Sequence, residues 1–223
     1  RSGWGLGSRV RLRPRACVLV PRRGVPRGVS DLDWGRGDRG VGYVHAEVDK
    51  RLGRGRVSPD RANRLKALVT GSTSKADFAD ADFVIEAVFE QISVKKQGFA
   101  EVEAVVSDNC VLATNTSSLS VTEMAADLRH PQRVVGFHFF NPVAVMPPVE
   151  IVRGAVTDEA TLATAFATGR TLGKTCILVP DSPPFLVTRL LGRWMGRVAQ
   201  VRDHGTPLAG RATALRALPP APP

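Results

Sequence analysis

Short apolar runs alternate with stretches in which apolar residues recur every three or four positions, and the alternation becomes regular from residue 77 onward. Phe83-Val84-Ile85-Glu86-Ala87-Val88 is a nearly unbroken apolar run, the pattern of a buried strand. Val94 to Val106 sets Phe99, Val102 and Val106 on one helical face. Cys110 to Thr114 predicts a second strand, and the polar turn Asn115-Thr116-Ser117-Ser118 follows it. Ser120-Val121-Thr122-Glu123 has the form of a capping box opening a helix through Leu128. Further strands are expected over Arg133–Phe139, Val149–Val152 and Thr175–Val179, with a helix over Asp158–Leu172. After Pro183-Pro184 a last helix is expected over Phe185–Val198. Strands alternating with helices make a layered α/β domain, with parallel strands first and room for antiparallel pairs after residue 133.

The two ends read differently. Residues 1–42 are rich in Arg, Gly and Pro, with one strand-like run, Ala16 to Val20. Residues 46–70 regain a helical look through Val48, Leu52, Leu65, Leu68 and Val69, interrupted by Pro59. The segment 218–223 is Pro-rich and reads as an unfolded tail. These shifts suggest an atypical segment over 1–45, a main domain over 46–182, and a helix with a tail over 183–223.

The formal charge of +10 follows the same division. Residues 1–50 hold eleven Lys/Arg against five Asp/Glu, 51–188 fourteen against fifteen, and 189–223 six against one. Basic ends raise the question of nucleic acid. The arginines are interleaved with Gly and Pro, and no helix-turn-helix, zinc-finger or RNA-binding signature accompanies them, so no nucleic-acid partner is expected. No apolar run is long enough to span a membrane, and the N-terminus has no secretory pattern. Cys17, Cys110 and Cys176 are widely spaced, and the four histidines form no metal-binding cluster. A reducing, cytoplasmic setting and a metal-free protein are expected.

The chemistry concentrates at Val135-Gly136-Phe137-His138-Phe139-Phe140-Asn141-Pro142, with Glu150 further on. His138 stands at a strand end, where α/β sites form, and an imidazole changes charge near neutral pH. Alone, such a histidine also reads as a core residue bonded to a carbonyl. Glu150 is the carboxylate of the apolar run from Val134 to Val152, and a buried carboxylate needs a partner. A histidine held by a carboxylate on a neighbouring strand can act as a general base. The 114–118 turn offers hydroxyls and amides after a strand, although an ordinary turn with an N-cap has the same composition. Glu86, Glu90 and Lys95 follow the first strand, where simple ion pairs are equally common.

Ile85-Glu86-Ala87-Val88-Phe89-Glu90, Lys95, Asn115-Thr116-Ser117-Ser118-Leu119, His138-Phe139-Phe140-Asn141-Pro142-Val143 and Val149-Glu150-Ile151-Val152 together resemble the NAD-dependent 3-hydroxyacyl-CoA dehydrogenases of bacteria, over about residues 77–198. The resemblance implies a Rossmann-like, doubly wound sheet followed by the start of an all-helical domain. It also implies NAD as cofactor, an acyl-CoA substrate, and fatty-acid β-oxidation or butanoate metabolism as the setting. On it, His138 is the catalytic base, Glu150 its orienting carboxylate, Ser117 a partner of the substrate oxygen, and Asn141 a residue of the nicotinamide and substrate pocket. Ala87, Glu90 and Lys95, with Ser117 and Asn141, flank the cofactor.

Two departures from the family pattern stand out. Thr188 occupies the place of a substrate-orienting asparagine in Phe185-Leu186-Val187-Thr188-Arg189-Leu190-Leu191. Gly3-Trp4-Gly5-Leu6-Gly7 lacks the strand and helix that flank a phosphate-binding Gly-x-Gly-x-x-Gly turn, and Pro21-Arg22-Arg23 follow Val20 where an acidic residue is expected. The first Rossmann unit therefore reads as degraded. Both ends have the composition of a GC-rich gene read out of frame, and the family's dimer-forming helical domain reads as truncated. The alternatives are an inactive, truncated homologue or a basic interaction protein.

Overall fold

The computed structural model describes residues 10–11, 27–30, 34–72, 74–143 and 145–203. The expected features at Gly3–Gly7, Ala16–Val20, Pro21–Arg23 and Leu218–Pro223 lie outside these residues. The chain divides into two compact units, Arg1–Pro183 and Pro184–Pro223.

In the first unit the strands are β1 (Val10–Arg11), β2 (Arg27–Ser30), β3 (Val69–Ser72), β4 (Phe83–Glu86), β5 (Val111–Thr114), β6 (Val134–Phe139), β7 (Pro148–Arg153) and β8 (Thr175–Pro180). Its helices are α1 (Trp34–Gly53), α2 (Pro59–Ala67), α3 (Ile92–Glu103), α4 (Val121–Ala125) and α5 (Glu159–Thr171). The main sheet has the order β1-β4-β5-β6-β7-β8, and β2 and β3 form a separate pair. β1, β4, β5 and β6 run parallel, β7 is antiparallel to β6, and β8 is parallel to β7. This is a Rossmann-like layered fold with one reversal, placed after residue 133 as the close spacing of strands allowed.

Every residue of β4, β5 and β6 is buried, which explains runs that are apolar without alternation. On one face Phe83, Ile85, Val111, Ala113, Val135, Phe137, Val149 and Ile151 pack with Leu162, Ala165 and Leu172 of the α5 region. Edge-on ring contacts, Phe83 to Phe137 and Phe137 to Phe139, join β4 to β6 across that face. On the other face of β6, the two-residue period sets Val134, Gly136 and His138 together.

The N-terminal part differs from the sequence reading. α1 runs through the boundary expected at 45/46, and β1 pairs with β4, so part of the segment expected to stand apart is built into the first unit. Its periodicity is hidden because Gly35, Gly37, Gly40 and Gly42 break the apolar stripe, which becomes legible only at Val44 and Val48, both buried. Pro59 starts a helix instead of interrupting one. It occupies the first turn of α2, where its missing N–H costs nothing, and the Ser58 hydroxyl accepts from the Arg61 amide at 3.3 Å.

The second unit contains α6 (Leu186–Asp203), close to the helix expected there. Arg189 donates to the Pro184 carbonyl at its start. Leu186, Leu190, Leu191, Trp194 and Met195 are exposed.

Candidate active site at the carboxyl ends of the parallel strands

Because β4, β5 and β6 are parallel, the segments that follow them emerge at one edge of the sheet. Ala87–Glu90 follow β4, Asn115–Ser118 follow β5, and Phe140-Asn141 follow β6. Backbone and side-chain bonds stitch these ends together. The Asn115 amide donates to the Glu86 carbonyl at 2.8 Å, and the Phe139 amide donates to Asn115 Oδ1 at 2.9 Å. By local sequence Asn115 is one residue of a polar turn. Its function as a bridge from β4 through β5 to β6 depends on strand order, which local spacing does not reveal.

His138 and Glu150 are direct partners across the antiparallel β6–β7 pair. His138 Nδ1 lies 2.7 Å from Glu150 Oε2. The Glu150 side chain is fully enclosed, and the His138 side chain keeps 10 % of its surface open. With Glu150 ionised, Nδ1 carries the proton it donates, which leaves the lone pair on Nε2. The Phe140 ring tilts against the imidazole with 4.7 Å between centroids. The dyad read from residue type and position is therefore present as a bonded, buried pair.

A second network sits at the ends of β4 and β5. Lys95 is wholly enclosed, and its Nζ donates to both Glu86 oxygens at 3.0 Å. The same Nζ is 3.4 Å from Glu90 Oε2. Thr114 Oγ1 donates to Glu86 Oε2 at 2.8 Å, and the Val88 amide to Glu86 Oε1. Glu90 accepts from Thr116 Oγ1 and, at 2.9 Å, from the Ser117 amide. Partial burial pushes the Glu90 carboxyl upward, but the bonds from Thr116 and Ser117 and the charge of Lys95 outweigh it and hold the group below the ordinary carboxylate range. Glu90 and Ser117 stay exposed, and Ala87 is half-buried. Glu90 thus fixes the turn that presents Ser117, and Lys95 fixes Glu90 from inside.

Asn141 is exposed in the segment after β6 and precedes Pro142 through a cis peptide bond. Thr188 is half-buried within α6 of the second unit. Cys110 is buried just before β5, where burial pushes its thiol up to about 12, so it stays protonated. Among the described residues no group of His, Cys, Asp and Glu is arranged to hold a metal. None of the described helices is long and apolar enough to cross a membrane.

The crevice edge can be tested for a dinucleotide. Its described donors and acceptors are a half-open carboxylate, a serine hydroxyl and an asparagine amide, beside an imidazole oriented by Glu150. This uncharged-to-acidic set suits the amide and hydroxyls of a nicotinamide riboside. It does not suit phosphate, because the nearby ammonium of Lys95 is enclosed between two carboxylates.

Residues 16–182 match the family model described as 3-hydroxyacyl-CoA dehydrogenase, NAD binding domain. The chain belongs to this family of NAD-dependent oxidoreductases. It is 37% identical over 187 residues to the fatty acid oxidation complex subunit alpha of Psychrobacter arcticus, covering 84% of this chain and 26% of that protein. The corresponding subunit of Idiomarina loihiensis is 37% identical over 188 residues with the same coverage. The chain thus spans about a quarter of the length of these curated relatives. Among solved structures, (S)-3-hydroxybutyryl-CoA dehydrogenase from Ralstonia eutropha matches with a TM-score of 0.85 at 30% identity, over 90% of this chain and 73% of that one. 3-Hydroxybutyryl-CoA dehydrogenase from Escherichia coli matches with a TM-score of 0.85 at 28% identity, over 88% and 43%.

Proposed function

We propose that this chain oxidises the 3-hydroxyl of a 3-hydroxyacyl-CoA to the 3-oxoacyl-CoA. The observation that carries the proposal is the His138–Glu150 pair, bonded at 2.7 Å at the end of β6. NAD, when bound, supplies the hydride acceptor for C3. His138 Nε2 takes the hydroxyl proton. Glu150 keeps Nδ1 protonated and offsets the imidazolium charge as it forms, in a setting where burial makes that attraction stronger than in water. Ser117, held by Glu90, offers its hydroxyl to the substrate oxygen. Asn141 lines the nicotinamide and substrate side, Ala87 and Glu90 the riboside side, and Lys95 acts through Glu90. Thr188 takes the substrate-orienting place of the family asparagine. A cytoplasmic location completes the proposal.

The test is oxidation of NADH by the purified chain in the presence of acetoacetyl-CoA, beside a fluorescence titration with NADH. Turnover that saturates in both ligands is expected. A folded chain that shows neither saturable fluorescence nor turnover would be an inactive homologue, and the proposal would fall.

A further inference from the structure

Lys174, between α5 and β8, is a buried cation whose side-chain partners lie on the loop between His138 and Glu150 or beside it. Lys174 is 8% exposed. Its Nζ donates to the carbonyls of Val143 and Met146, both at 2.5 Å, and stands 6.0 Å from the centroid of the Phe139 ring. Among the described residues Lys174 has no ion pair. An ammonium removed from water is costly unless polar partners replace its hydration. Here two carbonyls and a ring face replace it. The cost of moving those carbonyls away is therefore high, and lysine and loop hold each other.

Chain geometry aims the side chain there. At the end of α5 the Gly173 amide donates to the Arg170 carbonyl and the Lys174 amide to that of Gly169, both at 2.9 Å. This paired closure needs a left-handed residue, and Gly173 has φ 73°. Lys174 emerges directly from the closure, and the Thr175 amide donates to the Pro147 carbonyl at 2.9 Å, so the base of the loop is pinned on the same side. The loop itself runs from His138 through Asn141 to Glu150, folded back by Val145 and Met146 amides on the Pro142 carbonyl.

We infer that Lys174 is a positioning residue: it clamps the 140–147 loop and thereby sets where Asn141 stands relative to His138. Its bearing on catalysis rests on the dehydrogenase reading, but the clamp itself does not. Hydrogen exchange on the full chain, read on the peptide spanning 140–147, is compared in wild type, K174M and K174R, and acetoacetyl-CoA reduction is measured on the same preparations. In K174M the loop should exchange at least about tenfold faster, the scale of one lost bond to a charged group, while β7 and β8 stay protected. Turnover should fall about tenfold while the KM for NADH rises by less, since Asn141 lies on this loop but Ala87, Glu90 and Ser117 lie on other strand ends. K174R, which keeps charged donors, should recover loop protection. Unchanged loop exchange in K174M overturns the inference, as does loosening of β7 and β8 to the same extent as the loop. If the loop responds as expected but wild type has no turnover, the clamp stands and the dehydrogenase reading falls.

Discussion

At the scale of single residues, His138 and Glu150 form a buried, hydrogen-bonded pair, and the proposed base draws its chemistry from that contact. Glu150 has no exposed surface, and the imidazole across the strand pair is a direct partner of its carboxylate. His138 in turn owes its orientation to that carboxylate. His138→Gln keeps a donor for Glu150 but provides no basic nitrogen for the hydroxyl proton. Turnover should fall by about 10² to 10⁴, the usual worth of general-base catalysis, with saturable NADH fluorescence retained. Loss of less than about tenfold in kcat would show that another group takes the proton. Both residues were legible in the chain because a titratable pair inside an apolar run has few bland explanations. Asn115 was not. Its side-chain oxygen accepts from Phe139, a residue of another strand, and nothing in its own neighbourhood says so.

At the scale of elements, α4 shows how a short helix depends on a distant residue. Ser120 Oγ accepts from the Glu123 amide at 3.2 Å, which is half of the capping box read from the sequence. The other donors of this helix start are met by Asp181, just after β8. The Ser120 hydroxyl donates to Asp181 at 2.7 Å, and the Val121 and Thr122 amides donate at 3.0 and 2.8 Å. Partial burial raises the Asp181 carboxyl, but these bonds, led by those from Thr122, hold it below its ordinary value of 3.8. The sign follows from linkage: a lowered folded pKa stabilises above about pH 3.8 and the gain is lost as pH falls through the lower folded value. Asp181→Ala should cost ~1 kcal/mol near neutral pH, the typical worth of such a cap. In thermal melts the gap between variant and wild type should close below pH 3.8. A gap that stays constant into acid would deny Asp181 this capping charge. Glu103 does similar work at the end of α3, accepting from the Arg129 and His130 amides and from the Arg133 guanidinium.

At the scale of the whole molecule, the layers meet closely at Gly136, two residues before His138. A Cβ there would lie 2.5 Å from Val152 Cβ on β7 and 3.1 Å from Val121 Cγ2 on α4. Gly136→Ala should therefore lower stability by ~1–3 kcal/mol through overpacking, seen as a lower denaturant midpoint. Adding Val152→Ala should return part of the loss, because the two sites share the contact. Purely additive effects would contradict the packing. The alternation of strands and helices from residue 77 onward is readable because apolar period reports burial, and burial on both faces left β4, β5 and β6 with one polar residue each. α1 was missed because four glycines erase its stripe, and helix formation there relies on packing that propensity does not supply. Residue types along the chain thus set the class of fold and the pairing of a buried histidine with a carboxylate, since both follow from local pattern and from the cost of burying charge. Which strand ends meet, that Lys95 is enclosed between Glu86 and Glu90, and that Lys174 reaches back to the dyad's loop were decided only by tertiary structure. Those contacts join residues far apart in the chain, and strand order, not spacing, brings them within hydrogen-bond distance.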